Sequence, residues 1–376
     1  MKIAFFSDTH LPQVNGVTRT IEQLKAAMDS RGIEYRFFVP TEGEKNQSSV
    51  IPHFHLPFLL YPECKVALPH YSSIRRQLDH FQPDLIHVIT PFTLGLMGYR
   101  YSKEREIPMV SSYHTNFVEY LKYYHLERLE PLYWKYFRWF HHQCVMNFCP
   151  STDTRLKLEA QGIPRLAIWD RGIDHTKFTP FNRSDMLRRM YAPNDELLLL
   201  YVGRISVEKE IECLMKACRE LATRGINHRL LIVGDGPHLA ELRGKADKNI
   251  VFTGYKKGRE LQEIYASSDL FLFASPTETY GNVILEAMAS GLPVVAVNEG
   301  GVTENLVDGY NGFAVKRGDW MVMAHSVEIL ANEPRTYRRL RKNALGYAEK
   351  KSWDAVFDRL FSHYRSIIRK SKERVA

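Results

Sequence analysis

Short apolar runs alternate with longer amphipathic stretches along most of the chain. The runs have the length of buried strands, and the stretches between them have the length and spacing of helices. Strands that alternate with helices indicate parallel sheets, whose ligands bind at the C-terminal ends of the strands. The predicted strands cover residues 2–6, 35–39, 84–89, 108–114, 197–202, 229–233, 250–252, 270–273 and 293–297.

The strand–helix pattern stops and restarts once, in the polar, proline-containing stretch of residues 176–195. A length of 376 residues also fits two domains better than one. We therefore predict an α/β protein with two Rossmann-like, doubly wound domains over residues 1–180 and 181–352. A helical tail over about residues 353–376 is expected to pack back on the first domain.

The formal net charge of +8 points to a partner of opposite charge. A phosphate-rich ligand, an anionic membrane surface and nucleic acid are the candidates, and a basic surface without a partner is the alternative. No apolar run approaches the roughly 20 residues that cross a bilayer, and residues 3–6 are too short for a signal-peptide core. We therefore expect a cytoplasmic protein. The five cysteines form no CxxC pair and no zinc spacing, which predicts ordinary buried thiols.

Two cations follow the first predicted strand of the second domain. Gly203 lets the backbone approach a ligand closely, and Arg204 and Lys209 come after it. Cations at the C-terminal end of a parallel strand suit a pyrophosphate. A solvated loop of Arg and Lys would explain this motif on its own.

Two glutamates mark a loop and the helix that follows it. Glu278 lies in the loop and Glu286 about one turn into the helix, so both can face one ligand above the helix N-terminus. The carboxylates can accept hydrogen bonds from sugar or ribose hydroxyls, and a capping acid with an unrelated surface glutamate is the alternative. The backbone N–H groups at that N-terminus can bind a phosphate, and they belong to Gly281, Asn282 and Val283.

The order of these motifs is more distinctive than any one of them. Arg204 and Lys209 precede the Gly-Asp-Gly-Pro turn of residues 234–237, the two glutamates follow, and the glycines of residues 291 and 300–301 come last. This set resembles glycosyltransferase family 4, a group of retaining enzymes, over nearly the whole chain. The resemblance implies the GT-B fold, in which two Rossmann-like domains face each other across a cleft.

The resemblance also implies a role for each charged residue. Glu278 would hold hydroxyls of the donor sugar, Glu286 would hold the nucleotide ribose, and Arg204 and Lys209 would bind the donor phosphates. The chain has no D-x-D motif, the usual metal holder of metal-dependent sugar transferases. Because two cations and a helix N-terminus can stabilise the leaving group, we predict no essential metal and no cofactor.

Other contacts follow from the same resemblance. The nucleotide base would lie near Gly254 and Tyr255, and Arg171 would add a cation near the cleft. In the first domain, Gly16 would meet the donor phosphate or the acceptor, and His114 would hydrogen-bond the donor sugar. A dehydrogenase would carry G-x-G-x-x-G at the first strand–helix turn, whereas the loop of Gly16 has a single glycine.

The finer motifs are similar to α-mannosyltransferases and sulfoquinovosyl-diacylglycerol synthases, several of which glycosylate lipids. They imply a hexose from GDP-mannose or a UDP-sugar and a lipid or glycan acceptor. Residues 119–140 are dense in aromatic and basic side chains, and Pro131 is expected to divide them into two helices. Such a helix can lie at the inner face of an anionic membrane. Alternatively, it can pack in the core of the first domain with its cations in solvent.

Three functions are compatible with these motifs. A retaining glycosyltransferase comes first, and a nucleotide-sugar epimerase or a phosphorylase on the same fold is the second. A non-catalytic sugar-nucleotide-binding protein is the third, and loss of Arg204, Lys209 or Glu278 would be its mark, yet all three are present. We expect no nucleic-acid partner.

Overall fold

The structure is a computed structural model that describes residues 1–8, 16–40, 50–52, 55–58, 61–67, 70–114, 127–278 and 280–375. The chain divides into two compact units, Met1–Asp170 with Asp354–Ala376, and Arg171–Trp353. The break comes earlier in the chain than the boundary predicted at residue 180, because Ile173 and Phe178 pack in the core of the second unit.

The sheet of the first unit has seven parallel strands in the order β3-β2-β1-β6-β7-β8-β9. A separate antiparallel hairpin is formed by β4 and β5. The strands are β1 (Lys2–Phe6), β2 (Glu34–Val39), β3 (Val50–Pro52), β4 (His55–Phe58), β5 (Tyr61–Ala67), β6 (Leu85–Val88), β7 (Met109–Ser112), β8 (Met146–Cys149) and β9 (Leu166–Ile168). The helices between them are α1 (Gly16–Ser30), α2 (Tyr71–Phe81), α3 (Thr93–Arg105), α4 (Glu130–His142) and α5 (Thr152–Ala160).

The sheet of the second unit has six parallel strands in the order β12-β11-β10-β13-β14-β15. This is the 3-2-1-4-5-6 order of a doubly wound nucleotide-binding domain, as predicted. The strands are β10 (Leu197–Val202), β11 (His228–Val233), β12 (Ile250–Gly254), β13 (Leu270–Phe273), β14 (Val294–Val297) and β15 (Gly312–Val315). The helices are α6 (Asp185–Tyr191), α7 (Ile211–Thr223), α8 (Leu239–Lys245), α9 (Gly258–Ser267), α10 (Asn282–Ala289), α11 (Trp320–Asn332) and α12 (Pro334–Glu349).

The C-terminal helix α13 (Trp353–Val375) packs on the first unit. Tyr364 is fully buried there, and its hydroxyl lies 2.5 Å from Nδ1 of His87 on β6. Burial lowers the pKa of His87 to about 3, so the ring is neutral. At the surface, Arg31 pairs with Asp358 at 2.9 Å. A buried polar contact and an ion pair therefore attach this helix to the first unit.

The sequence pattern missed the short strands β3, β8, β9 and β15 and the hairpin of β4 and β5. In β8 the apolar run is interrupted by Asn147, which is 1% exposed. Its side-chain amide accepts a hydrogen bond from Ser111 Oγ at 2.6 Å and donates one to Pro164 O at 2.7 Å. A polar residue can occupy such a strand only when its partners are in place, and those partners come from other elements.

The composition-based predictions can be compared with the structure in part. Four of the five cysteines are buried thiols, as predicted, and these are Cys144, Cys149, Cys213 and Cys218. Burial raises the pKa of Cys218 to about 12, which keeps its thiol protonated. Among the described residues, no helix has both the length and the apolar character needed to cross a bilayer.

Candidate functional site

The loops that follow β10 and β11 pack backbone against backbone. A Cβ atom at Gly234 would lie 1.9 Å from the carbonyl oxygen of Gly203, and one at Gly236 would lie 2.2 Å from that of Ile205. No other residue fits at these two positions without moving the backbone. The Gly-Asp-Gly turn therefore supports the loop that carries the half-buried Arg204.

Lys209 and Glu278 are in direct contact. Nζ of Lys209 lies 2.6 Å from Oε1 of Glu278 and 3.3 Å from Oγ of Ser275. The lysine and glutamate side chains are 16% and 23% exposed, so the ion pair is shielded but reachable by a ligand. The sequence predicted a phosphate-binding role for one and a sugar-binding role for the other, but not their contact.

The glycine pair after β14 holds the backbone of Glu278. Gly301 N–H donates a hydrogen bond to Glu278 O at 2.6 Å. Gly300 has a φ of +59°, and a Cβ atom there would lie 2.7 Å from the carbonyl oxygens of Pro276 and Glu278. Only glycine combines this conformation with so close an approach. The pair therefore positions the backbone of Glu278.

Helix α10 begins where the motif predicted it. Gly281 precedes the helix with a φ of +74°, and Asn282 and Val283 form its half-buried first turn. The first N–H groups of a helix have no partner within the helix, and together with the helix dipole they favour an anion. The structure thus places the N-terminus of α10 directly after the loop that carries Glu278.

Glu286 lies one turn into α10, as predicted, and is 6% exposed. The hydroxyl of Tyr265 on α9 donates a hydrogen bond of 2.9 Å to Oε2 of Glu286. Sequence reasoning missed Tyr265, which is fully buried. Its only signal was a tyrosine in an otherwise apolar helix face, and a buried hydroxyl there calls for a polar partner.

The remaining predicted positions of the second unit are Gly254, Tyr255 and Arg171, and the carbonyl oxygen of Gly254 accepts a hydrogen bond from Gly234 N–H at 3.0 Å. β12 ends at Gly254, whose φ is +74°, and the next residue, Tyr255, is 51% exposed. An exposed aromatic ring at the end of a strand suits stacking with a nucleotide base. Arg171 is 4% exposed, and its carbonyl oxygen accepts a hydrogen bond from Tyr280 at 3.1 Å.

In the first unit, His114 directly follows β7 and is 8% exposed. Its ring meets that of Trp169 edge to face, with 4.9 Å between the centroids. It borders a small cavity lined also by Ile89, Thr90, Pro91, Ser112, Tyr113 and Phe137. Gly16 begins α1, and the loop of residues 9–15 before it lies outside the described residues.

Asp8, which follows β1, is a functional candidate that the motifs did not single out. It is 4% exposed, and its carboxylate accepts hydrogen bonds from the hydroxyls of Thr90 and Thr93, each at 3.0 Å, and from Leu94 N–H at 3.3 Å. Burial raises the pKa of Asp8 to about 6, although these hydrogen bonds oppose the shift. A carboxylate directly after a buried strand was the signal available in the sequence.

We expect Asp8→Asn to gain stability relative to the wild type as the pH rises from about 4 to about 7. The folded protein binds the Asp8 proton more tightly than the unfolded chain, since the pKa rises from 3.8 to about 6. The wild type therefore loses stability through this window, by at most about 3 kcal/mol, while asparagine does not titrate. Urea unfolding of both proteins across this range measures the difference, with the exposed Asp185→Asn as control. If the difference in unfolding free energy between the two proteins stayed constant with pH, the raised pKa of Asp8 would be contradicted.

One group of described residues has the ligand atoms for a metal ion. It consists of Glu212, His238 and Glu241, whose ligand atoms lie within 4.8 Å of one another. Nζ of Lys245 is 2.8 Å from Glu212 and 2.6 Å from Glu241. The lysine already forms ion pairs with both carboxylates, and none of the four residues belongs to the motif of Glu278 and Lys209.

Sequence comparisons agree with the division of the chain into two units. Residues 14–177 match the family model "Glycosyltransferase Family 4", and residues 182–346 match "Glycosyl transferases group 1". A GDP-mannose-dependent alpha-mannosyltransferase of Mycobacterium tuberculosis is 31% identical over 98% of this chain and 97% of its own length. An alpha-monoglucosyldiacylglycerol synthase of Streptococcus pneumoniae is also 31% identical, over 79% of this chain and 71% of its own. A sulfoquinovosyl transferase of Arabidopsis thaliana is 31% identical over 82% of this chain and 61% of its own length.

Solved structures show the same fold. HepE from Anabaena, crystallised with UDP and glucose, has a TM-score of 0.78 at 18% identity and covers 97% of this chain and 100% of its own. A sucrose-phosphate synthase from Thermosynechococcus elongatus has a TM-score of 0.79 at 20% identity, and the match covers 98% of this chain and 99% of the synthase chain. Both units therefore have the architecture of GT-B glycosyltransferases.

Proposed function

Since the chain belongs to glycosyltransferase family 4 and is a glycosyltransferase, we propose that it moves a hexose, with retention, from GDP-mannose or a UDP-sugar to a lipid or glycan. The contact of Lys209 with Glu278 carries this proposal. A phosphate-binding cation and a sugar-binding carboxylate stand side by side at the end of a parallel sheet. Two of the sequence relatives reported above are named transferases, which favours transfer over the epimerase, the phosphorylase and the non-catalytic alternative.

The chemistry follows from where charge develops. Transfer breaks the bond between the anomeric carbon and the phosphate oxygen, so negative charge grows on the nucleoside diphosphate. Lys209, Arg204 and the N-terminus of α10 stabilise that charge without reorganising. The acceptor oxygen bonds to the same face of the anomeric carbon, and its proton passes to the leaving phosphate. Glu278 holds the sugar hydroxyls, and Glu286, fixed by Tyr265, holds the ribose.

A thermal-shift screen with UDP-, GDP- and ADP-sugars tests the donor. Ligands that bind only the folded protein raise Tm by mass action, so we expect GDP-mannose or a UDP-sugar to give the largest shift. Incubating that donor with candidate acceptors and determining the anomeric configuration of the product by NMR then tests retention. A product of inverted configuration, or a shift with ADP-sugars alone, would contradict the proposal.

We expect activity to survive EDTA. Lys209, Arg204 and the helix N-terminus stabilise the negative charge of the leaving diphosphate, which a metal ion would otherwise do. Initial rates are measured after dialysis against the chelator, with and without added Mg²⁺ or Mn²⁺. Loss of turnover on chelation and its recovery on adding a metal would show that the electrostatic account is wrong.

The acceptor side of the proposal rests on the outer face of α4, which begins at Glu130 with Pro131 in its first turn. Phe137 and Phe140 on its inner face are buried, so the core-packing alternative holds for that face. Residues 115–126, including Lys122, lie outside the described residues. The outer face presents Leu132 (65% exposed), Trp139 (43% exposed) and the exposed Lys135 and Arg138. Apolar and basic side chains on one face suit a lipid acceptor at an anionic membrane surface.

We expect the protein to sediment with anionic vesicles at low salt and to be released by salt, since each cation near the surface contributes about 1 kcal/mol. Lys135→Glu with Arg138→Glu should weaken binding, whereas Lys216→Glu with Lys248→Glu, exposed lysines of the second unit, is the charge-matched control. No vesicle binding at low salt, together with efficient transfer to a water-soluble acceptor, would contradict the lipid proposal.

A further inference from the structure

Three large apolar side chains of the second unit are exposed within residues 181–190, away from Lys209 and Glu278 in the sequence. Phe181 is 96% exposed, more than any other large apolar side chain described, and Met186 and Met190 are 68% and 63% exposed. Scattered apolar residues at a surface are ordinary, whereas a group of large ones marks an interaction surface. We call Phe181, Met186 and Met190 the apolar cluster.

The backbone presents this cluster in a fixed geometry. Thr179 Oγ1 accepts a hydrogen bond from Phe181 N–H at the start of a 3-10 turn, and Ser184 Oγ caps α6. On the inner face of α6, Leu187 is buried and Arg188 pairs with Asp269 at 2.6 Å. Met186 and Met190 are four residues apart and therefore share the opposite face. The helix is anchored by one side while the apolar cluster points to solvent.

Basic side chains flank the apolar cluster. Arg183 and Arg189 are exposed within the same segment, and Asp185, 3.8 Å from Arg183, is the acid among them. The 3-10 turn lies beside α12, because a Cβ atom at Gly291 would lie 3.1 Å from Pro180 Cγ and 3.3 Å from Arg341 Nε. That helix adds further exposed cations at Arg335, Arg338 and Lys342.

We propose that the apolar cluster and its flanking arginines form a second lipid-contacting element, in which Phe181, Met186 and Met190 insert into an anionic bilayer surface. This inference rests on the proposed lipid acceptor. A stable protein–protein interface buries roughly 800 Å² on each partner, and three side chains on a turn and a seven-residue helix cover much less. Large apolar side chains beside cations match the boundary between acyl chains and anionic headgroups.

The test uses the full chain and vesicles of phosphatidylcholine and phosphatidylglycerol in equal parts. We expect the variant Phe181→Ser, Met186→Ser, Met190→Ser to lose about tenfold or more in partition coefficient. Its Tm, its nucleotide binding and its turnover with a water-soluble acceptor should match the wild type. The control, Met321→Ser with Val322→Ser, removes side chains that are 43% and 44% exposed in the same unit and should partition as the wild type does. Arg183→Glu with Arg189→Glu should reduce the salt dependence of binding.

A second readout reports insertion directly. The emission of Phe181→Trp should gain a component that shifts to shorter wavelength with vesicles and is quenched by brominated lipid. Wild-type partitioning by the triple serine variant, or a wild-type dimer that this variant makes monomeric, would overturn the proposal. Failure of the proposed function is distinguished by the absence of transfer to any lipid acceptor presented in detergent micelles, a measurement that needs no vesicle.

Discussion

Glu278→Gln should lower kcat by about 10²-fold or more without weakening the binding of a nucleoside diphosphate. In the proposed function this carboxylate holds sugar hydroxyls, and an electrostatic contact made in the transition state contributes about 3 kcal/mol. In the structure, Oε1 of Glu278 lies 2.6 Å from Nζ of Lys209. In Glu278→Gln the charge of Lys209 is no longer offset by a carboxylate, so Lys209 attracts a phosphate more strongly. Nucleotide affinity should therefore stay constant or rise.

Single-turnover kinetics and calorimetric titration with the nucleoside diphosphate separate these two effects. Glu299→Gln is the matched control, because Glu299 is an exposed carboxylate close to the same glycine pair and should leave both quantities unchanged. Near wild-type turnover in Glu278→Gln would contradict the sugar-binding role of Glu278. A large loss of nucleotide affinity would show instead that the loop of Glu278 had lost its structure.

Much of this architecture was predictable from the sequence because its signals are local. Buried strands such as β10 and β13 are continuous apolar runs, and the helix after Gly281 starts at a glycine whose positive φ few other residues adopt. Glu278 and Glu286 are close in sequence, so one loop and one helical turn determine where both lie. Their placement therefore followed from the pattern of a single segment.

The rest depends on contacts between elements that no local pattern reports. Tyr265 reaches Glu286 from the neighbouring helix α9, and Asp8 meets Thr93 across 85 residues of chain. The Gly-Asp-Gly turn was assigned by its position in a motif, but its role is to let two loops approach within backbone contact. The ion pair of Lys209 with Glu278 likewise exists only because β10 and β13 are neighbours in the sheet.

Lys209→Met should lower kcat/KM by about 10²- to 10³-fold, because it removes a cation from the developing charge of the leaving group. It also leaves the Glu278 carboxylate beside the phosphate site without this cation, so the diphosphate meets a negative charge in place of a positive one. We therefore expect nucleotide affinity to fall in Lys209→Met, in contrast to Glu278→Gln.

The double variant tests whether the two residues act as one unit. Residues in contact show coupling free energies of about 0.5 to 3 kcal/mol, whereas distant sites add within a few tenths. Once Lys209 is methionine, Glu278→Gln removes a carboxylate that repels the diphosphate, so it should restore part of the lost nucleotide affinity. Lys216→Met with Glu278→Gln is the control pair, since Lys216 is an exposed residue of α7 and should add nothing to the Glu278 effect. Strict additivity of Lys209→Met and Glu278→Gln, in both kcat/KM and nucleotide affinity, would mean that their ion pair has no part in donor binding or transfer.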